Sequence, residues 1–396
     1  MKKGWETKTL GEVASFSQGI QVGLEDHLTE PKDGYVRFIR IVDYTQNTGD
    51  IRYVPYPGEK YFVSEDDIVM VRYGTPGLIG RGKAGVIANN LFRIKTEGND
   101  LTNDYLSLFL SQDAIQNYLS TQGSSTMPAL NFGQLKTVEI NFPALPEQQR
   151  IVAIINKAVV AIDKAKANTE KNLQNVRELF ESYLQEIFAN PGKSWTKSKL
   201  IEITSKIGSG ATPRGGKQSY KATGISLVRS MNVHDLEFRE KNLAHIDLKQ
   251  AKDLENVTLQ ENDVLLNITG ASVARCCVMK KDYLPARVNQ HVSIIRANNG
   301  IVEPILLSLL LVSKPYKDQL LFTGEQGATR QAITKAQLED FEVIYPKSLN
   351  EQKAIVEKVY SLKMRTEKSE SIYNQRLGAL EELRKSILQK AFSGEL

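Results

Sequence analysis

A chain of 396 residues has room for two or three domains, each large enough to bury a core of its own. Its net charge of +5 leans toward an anionic partner without demanding one, and its longest apolar run, ILLSLLLV from Ile305, is far too short to cross a bilayer. Adjacent Cys276 and Cys277 cannot staple distant segments and lack metal-ligand spacing, so two buried or half-buried thiols in a soluble, cytoplasmic protein are expected, with no membrane partner.

Residues 1–146 read as a mixed block. Strand-like pieces begin at Tyr35 (YVRFIRIV), Asp67 (DIVMVRY), Gly85 (GVIANNLFRI) and Thr137 (TVEINF), separated by Gly, Pro and Asp turns. One helix is expected from about Asn103 to Ser120, with Tyr105, Leu108, Phe109, Ile115 and Leu119 on one face. Residues 147–190 read as a single long helix. Residues 191–350 replay the first block loosely: Trp5 and Leu10 match Trp195 and Leu200, and VSEDDIVMVRYG matches LQENDVLLNITG at Asp67/Asp263 and Gly74/Gly270. ANNLFRI lines up with VNQHVSII, and a second long helix fills 351–396. The fold class is therefore α+β, two pseudo-repeated domains alternating with two helices.

The helices are the strongest repeat. Sliding the stretch from Glu147 by 204 positions onto the stretch from Glu351 gives 12 identities over 43 residues without a gap, where unrelated sequences give roughly two or three. Glu147/Glu351, Gln148/Gln352, Leu179/Leu383 and Phe188/Phe392 are among them. At about 1.5 Å per residue each helix is roughly 64 Å long, more than one ordinary core buries, so each needs a partner. The seam of a coiled coil is read at Ile151, Ile155, Ile162 and Thr169 in the first copy and at Ile355, Val359 and Leu383 in the second, where Thr366 and Ser369 interrupt it. Ile151, Ile155, Ile162, Leu179, Phe188, Ile355, Val359, Leu383 and Phe392 are the expected pairing and partner-contact residues.

Local charge says more than the total. The first block holds 14 basic and 17 acidic residues, yet Ile68 to Thr96 contains no acid while Arg72, Arg81, Lys83, Arg93 and Lys95 fall inside. Between Glu202 and Asp235 lie Lys206, Arg214, Lys217, Lys221 and Arg229, again with no carboxylate. A phosphate backbone rewards such one-sign windows, and Tyr73, Asn89, Asn90, Asn232, Asn289 and Gln290 could stack or read base edges. Arg37, Arg40 and Arg330 complete the candidate DNA contacts.

Catalytic signals fail on inspection. GLIGRGKA from Gly77 has the glycines and Lys83 of a phosphate-binding loop but ends in Ala84, with no hydroxyl for magnesium. Asp340 with Glu351 and Lys353 resembles a nuclease set, but Glu351 and Lys353 fall in the first turn of the repeated helix. Four scattered histidines suggest no metal site. No catalytic, cofactor or metal residue is assigned.

SGATP at Ser209, ENDVLLNITGASVA, VNQHV, the GATRQAIT turn at Gly327, and YPKSLNEQKAIV together resemble the specificity subunit of type I restriction-modification enzymes, and RYGTPG and FPALPEQQRIV give the first half its own version. The resemblance spans the whole chain and departs at QGIQVGLED, where the second half has GSGATPRGG. It implies two target-recognition domains, each reading one half-site of a split double-stranded DNA target, and two antiparallel helices that fix the gap between them. It also implies a subunit without catalysis, recruiting two methyltransferase subunits and restriction-translocase subunits. S-adenosylmethionine, ATP and Mg would belong to those partners. Removing one four-residue turn from the first helix, about 6 Å, is expected to move the spacer by one or two base pairs. A helix-only adaptor would leave the two basic windows unexplained. An enzyme with an unrecognised site would be active as a purified chain.

Overall fold

Ile68–Val71 is buried along its whole length, and its period-two alternation explains why. Ile68 and Met70 face a core of Leu10, Phe92, Tyr105 and Leu106; Val69 and Val71 face a second cluster with Ile39, Val63 and Ile87. The strand therefore lies between two layers. In the computed structural model, which describes residues 4–46, 49–121, 129–130, 132–325 and 332–396, with the Thr121 and Lys217 side chains left aside, the chain forms two units: 1–170 with 375–396, and 171–374.

The first unit carries an antiparallel sheet in the order Ala14–Gln18, Leu91–Thr96, Ile68–Val71, Ile79–Gly80, and a mixed sheet in the order Arg52–Pro55, Tyr35–Ile39, Gly85–Ile87, Phe62–Val63. Glu6–Thr9 pairs separately with Glu139–Phe142. The second unit repeats the plan. Thr204–Ser209, Val292–Ala297, Val264–Asn267 and Cys276–Val278 form the first sheet; Ala244–Ile246, Ile225–Val228 and Ala286–Val288 the other. Trp195–Lys199 pairs with Glu342–Pro346. Val264 and Leu266 face one core and Leu265 the other, as in the first unit.

Two expected elements divide. The helix expected from Asn103 is two, Asn103–Leu110 and Asp113–Thr121. At the break the Ser111 hydroxyl donates to Ser107 O and the Gln112 amide to Phe109 O, side-chain bonds that compete with continuation of the helix. The run from Gly85 is Gly85–Ile87 and Leu91–Thr96, parted by an Asn89-Asn90 turn. Both cysteines are free and buried, as expected; burial pushes the Cys277 thiol up to about 12.

The long helices run Leu145–Ala189 (α1) and Leu349–Ser393 (α2), and each passes from one unit into the other. In the first unit the start of α1, through Ile151 and Ile155, shares a core with Phe392 near the end of α2. The Phe392 ring lies 5.0 Å from Tyr105 and 5.6 Å from Phe109. In the second unit the roles are exchanged: Val359 near the start of α2 shares a core with Leu184 and Phe188 near the end of α1, with Ile355 packed against them.

The pairing is antiparallel and in register. Asp163 meets Arg384 and Lys166 meets Glu381 in the first unit, so three residues forward on α1 are three back on α2. Arg177 meets Glu370 in the second, eleven further forward and eleven further back. Ile162 and Thr169 are buried as expected, and so is Thr366, whose hydroxyl donates to Lys363 O of its own helix. Leu179 and Leu383 depart from the pairing part of the expectation. They are 53% and 48% exposed and do not close the pair, because Leu173 takes the buried position after Thr169 and the seam then runs past Leu179.

Candidate nucleic-acid interface

In each unit the turn that follows the central strand lies beside the turn that precedes the strand paired with it. In the first unit Arg72 N donates to Asn90 O (2.8 Å). The Tyr73 hydroxyl bonds Asn89 Oδ1 (3.2 Å), Asn89 Nδ2 donates to Gln21 Oε1 (3.3 Å), and Gln18 Nε2 donates to Asn89 O (3.0 Å). In the second unit Ile268 N donates to His291 O (3.0 Å), Thr269 Oγ1 and His291 Nδ1 lie 2.6 Å apart, and Gln290 Nε2 lies 3.2 Å from His291 Nε2.

A glycine makes both edges possible. Gly19 N donates to Leu91 O and Gly210 N to Val292 O, each at 3.0 Å. A Cβ on Gly19 would stand 2.2 Å from Ala88 O, and one on Gly210 2.0 Å from Val288 O, so only glycine lets the chains approach this closely. QGIQVGLED and GSGATPRGG, unlike as text, therefore share this glycine and the backbone bonds of Gly19-Ile20 and Gly210-Ala211.

The structure brings Arg72, Tyr73, Asn89 and Asn90 together, and on the second edge Gln290. Arg72 Nε donates to Leu130 O (3.2 Å), which aims its guanidinium while leaving other donors. Lys83 sits over the Tyr44 ring, 5.7 Å from its centroid. Arg214 is exposed.

Other candidates are held by the fold. Arg37 and Arg40 share Asp43, and Arg40 also bonds Asp50, so opposite charge already compensates both. Arg81 bonds Asp104 and Asp66 O. Arg229 donates to Asn242 O and stacks on Tyr220. Asn232 is fully buried, accepting from Arg229 N and donating to Arg239 O, so it closes a turn and is not free for a base. Asn289 is 6% exposed, its Oδ1 accepting from His291 N. Arg330 and the Lys217 side chain lie outside the described residues.

Gln18, Gln21, Thr269 and His291 lie on these edges without having been candidates from the sequence. His291 directly follows Asn289-Gln290 in VNQHV, which is the sequence signal that it shares their edge. Among the described residues no His, Cys, Asp and Glu cluster could hold a metal, and no helix is long and apolar enough to cross a membrane. The phosphate-loop mimic from Gly77 contains the strand Ile79–Gly80 and opens no helix. Asp340 is engaged by Lys199, and Glu351 accepts from Trp195 Nε1 (3.0 Å), which accounts structurally for both carboxylates of the apparent nuclease set.

One strand-turn edge built twice, each on its own core and each closed by halves of two duplicated helices, defines a two-module DNA-specificity fold. The chain belongs to the type I restriction modification DNA specificity family, whose domain matches residues 2–175 and 192–375. It is 22% identical over 423 residues to the EcoBI type I restriction enzyme specificity subunit of Escherichia coli, spanning 99% of this chain and 86% of the relative. It is 21% identical to the StySPI specificity subunit of Salmonella potsdam, spanning 100% and 90%. Among solved structures, a chain from work on complex assembly and conformational transition of the type I R-M system has a TM-score of 0.79 at 18% identity, covering 100% of this chain and 99% of that one. The HsdS subunit from Thermoanaerobacter tengcongensis has a TM-score of 0.64 at 18% identity, covering 100% and 98%.

Proposed function

We propose that this chain is the non-catalytic recognition subunit of a type I restriction-modification enzyme. Each unit reads one half-site of a split, asymmetric double-stranded DNA target, and the helices set the spacing between the half-sites. Two methyltransferase subunits and restriction-translocase subunits bind the chain in the cytoplasm. S-adenosylmethionine, ATP and Mg act within those partners.

The observation that carries this reading is that the backbone of the two edges is shared while their side chains are not. The Arg72–Asn90 and Ile268–His291 backbone bonds are equivalent, as are the Gly19 and Gly210 turns. On them stand Tyr73, Asn89 and Asn90 in one unit and Thr269, Gln290 and His291 in the other. Base edges are distinguished by the donor and acceptor pattern facing them, so unlike side chains on one scaffold select unlike half-sites.

The test is to express the full chain with the methyltransferase subunit encoded with it and to sequence methylated bases across the host genome. The expected result is a split motif of two unlike half-sites, methylated on both strands. A soluble complex that leaves the genome unmodified would overturn the reading, as would methyl transfer or nuclease activity by the chain alone.

A further inference from the structure

The second unit presents a concave surface of about 450 Å³ lined by Met231, Thr269, Gly270, Ser272, Arg275 and His291, with no carboxylate in its lining. Arg275 is the unusual member. It is half-buried, yet among the described residues its guanidinium has no hydrogen-bond or ion-pair partner. Other arginines of the second unit differ. Arg296 pairs with Asp263, Arg239 with Glu237, Arg229 donates to Asn242 O and Arg287 to Ala251 O. Arg214, also without a partner among the described residues, is exposed. A guanidinium has five donors, and those of Arg275 reach solvent with no protein acceptor among the described residues, so they are open to the acceptors of a ligand.

The neighbours of Arg275 identify the ligand. A phosphate is best held by several donors, whereas this surface sets one cation among groups of mixed character. Ser272 and Thr269 can donate or accept. The His291 ring is oriented by Thr269 on one nitrogen and Gln290 on the other. The Met231 side chain is apolar and 43% exposed. A base-pair edge in the major groove has this mixture: guanine O6 and N7 accept a forked donor, and a thymine methyl meets an apolar side chain. Gly270, at φ +75°, takes a left-handed turn beside these groups that a residue with a side chain rarely adopts.

We propose that Arg275 reads a guanine in the half-site of the second unit, forking onto O6 and N7. The proposal rests on the recognition role argued above and adds the base and the residue that selects it.

The experiment determines the methylation motif for the full chain in complex with its methyltransferase partner, wild type and Arg275→Ala. The wild-type half-site of the second unit should contain a G·C pair. The variant should lose discrimination at that one position by roughly 5- to 150-fold, the equivalent of about 1 to 3 kcal/mol, while the other half-site is unchanged. Arg275→Lys keeps the charge and stem but not the fork, so it should relax the same position with overall affinity held within a few-fold; it carries the test if the alanine variant does not fold. A half-site without a G·C pair, an unchanged motif, or a loss of affinity equal for all sequences would overturn the assignment while leaving the recognition role standing. A wild-type complex with no motif would remove both.

Discussion

Gln148 and Gln352 show how one side chain can join an element to a domain. Both are fully buried. Gln148 Nε2 donates to Asp100 O and Pro143 O, and its Oε1 accepts from Thr102 N. Gln352 Nε2 donates to Ile301 O and Pro346 O, and its Oε1 accepts from Glu303 N. Each glutamine thus satisfies three backbone groups that have little access to water, and fixes the first turn of its helix to the loop before a neighbouring helix. Replacing Gln148 with Leu fills the space but leaves those groups unpaired, and a loss of about 1–3 kcal/mol is expected in denaturant unfolding of the full chain. Gln352→Leu should cost a similar amount. A change near zero for either would mean that water takes over the three bonds. The identity of these residues across the repeat was visible in the sequence, but their role was not, since two of the three partners of each lie dozens of residues away. Asn232 reads as a free amide for a different reason: its partners Arg229 N and Arg239 O lie only three and seven residues away, but the turn that folds them around it is not written in the residue types.

At the scale of elements, the long helices were the most legible part of the chain, because a repeat of that length with apolar spacing of three and four admits few other folds. Which apolar residues meet was less legible. Leu179 and Leu383 fit the repeat yet face outward, since the position in the seam depends on where each helix is pinned by its domain. The ion pairs add a constraint that apolar spacing does not show. Lys166 and Glu370 occupy the same position of the repeat, as do Arg177 and Glu381. In the observed register Lys166 meets Glu381 and Arg177 meets Glu370. Two copies of α1 paired this way would set Lys166 against Arg177, and two copies of α2 would set Glu370 against Glu381. Only α1 with α2 has opposite charges at both places, a pairing preference of the kind that flanking charges give coiled coils. Lys166→Glu should therefore lower the melting temperature of the full chain, and adding Glu381→Lys should recover most of the loss, whereas each single reversal stays destabilised. Simple additivity of the two losses would show that the pair is not coupled. The pH response has a definite sign. The hydrogen bond from Lys166 holds Glu381 below the ordinary carboxylate range, and the same bond raises Lys166. The contribution of Glu381 is present above the ordinary carboxylate range and lost as pH falls through its depressed value; that of Lys166 persists until pH rises through its raised one. The rescue should accordingly vanish in strong acid and in 1 M salt, where exposed pairs are screened.

For the whole molecule, the alternation of domain and helix could be read from the sequence, whereas the matching of the two recognition edges could not, because Gly19 and Gly210 sit in stretches with little else in common. The proposed spacing role of the helices makes the most demanding prediction. Taking four residues from α1 alone, between Lys166 and Arg177, would leave one ion pair in register and displace the other by a full turn, so any change in target could reflect a damaged helix pair. Removing one heptad from each helix, residues 168–174 and the facing 373–379, keeps both pairs and the seam in phase, since seven residues are two turns of the apolar repeat. Each helix then shortens by about 10 Å, close to three base pairs at about 3.4 Å each. The expected methylation motif keeps both half-sites unchanged and loses about three base pairs of spacer. Retention of the original spacer by a folded, active complex would mean that the helices do not set the distance. Loss of the half-sites themselves would mean that reading and spacing are not separable, against the division of labour proposed for the edges and the helices.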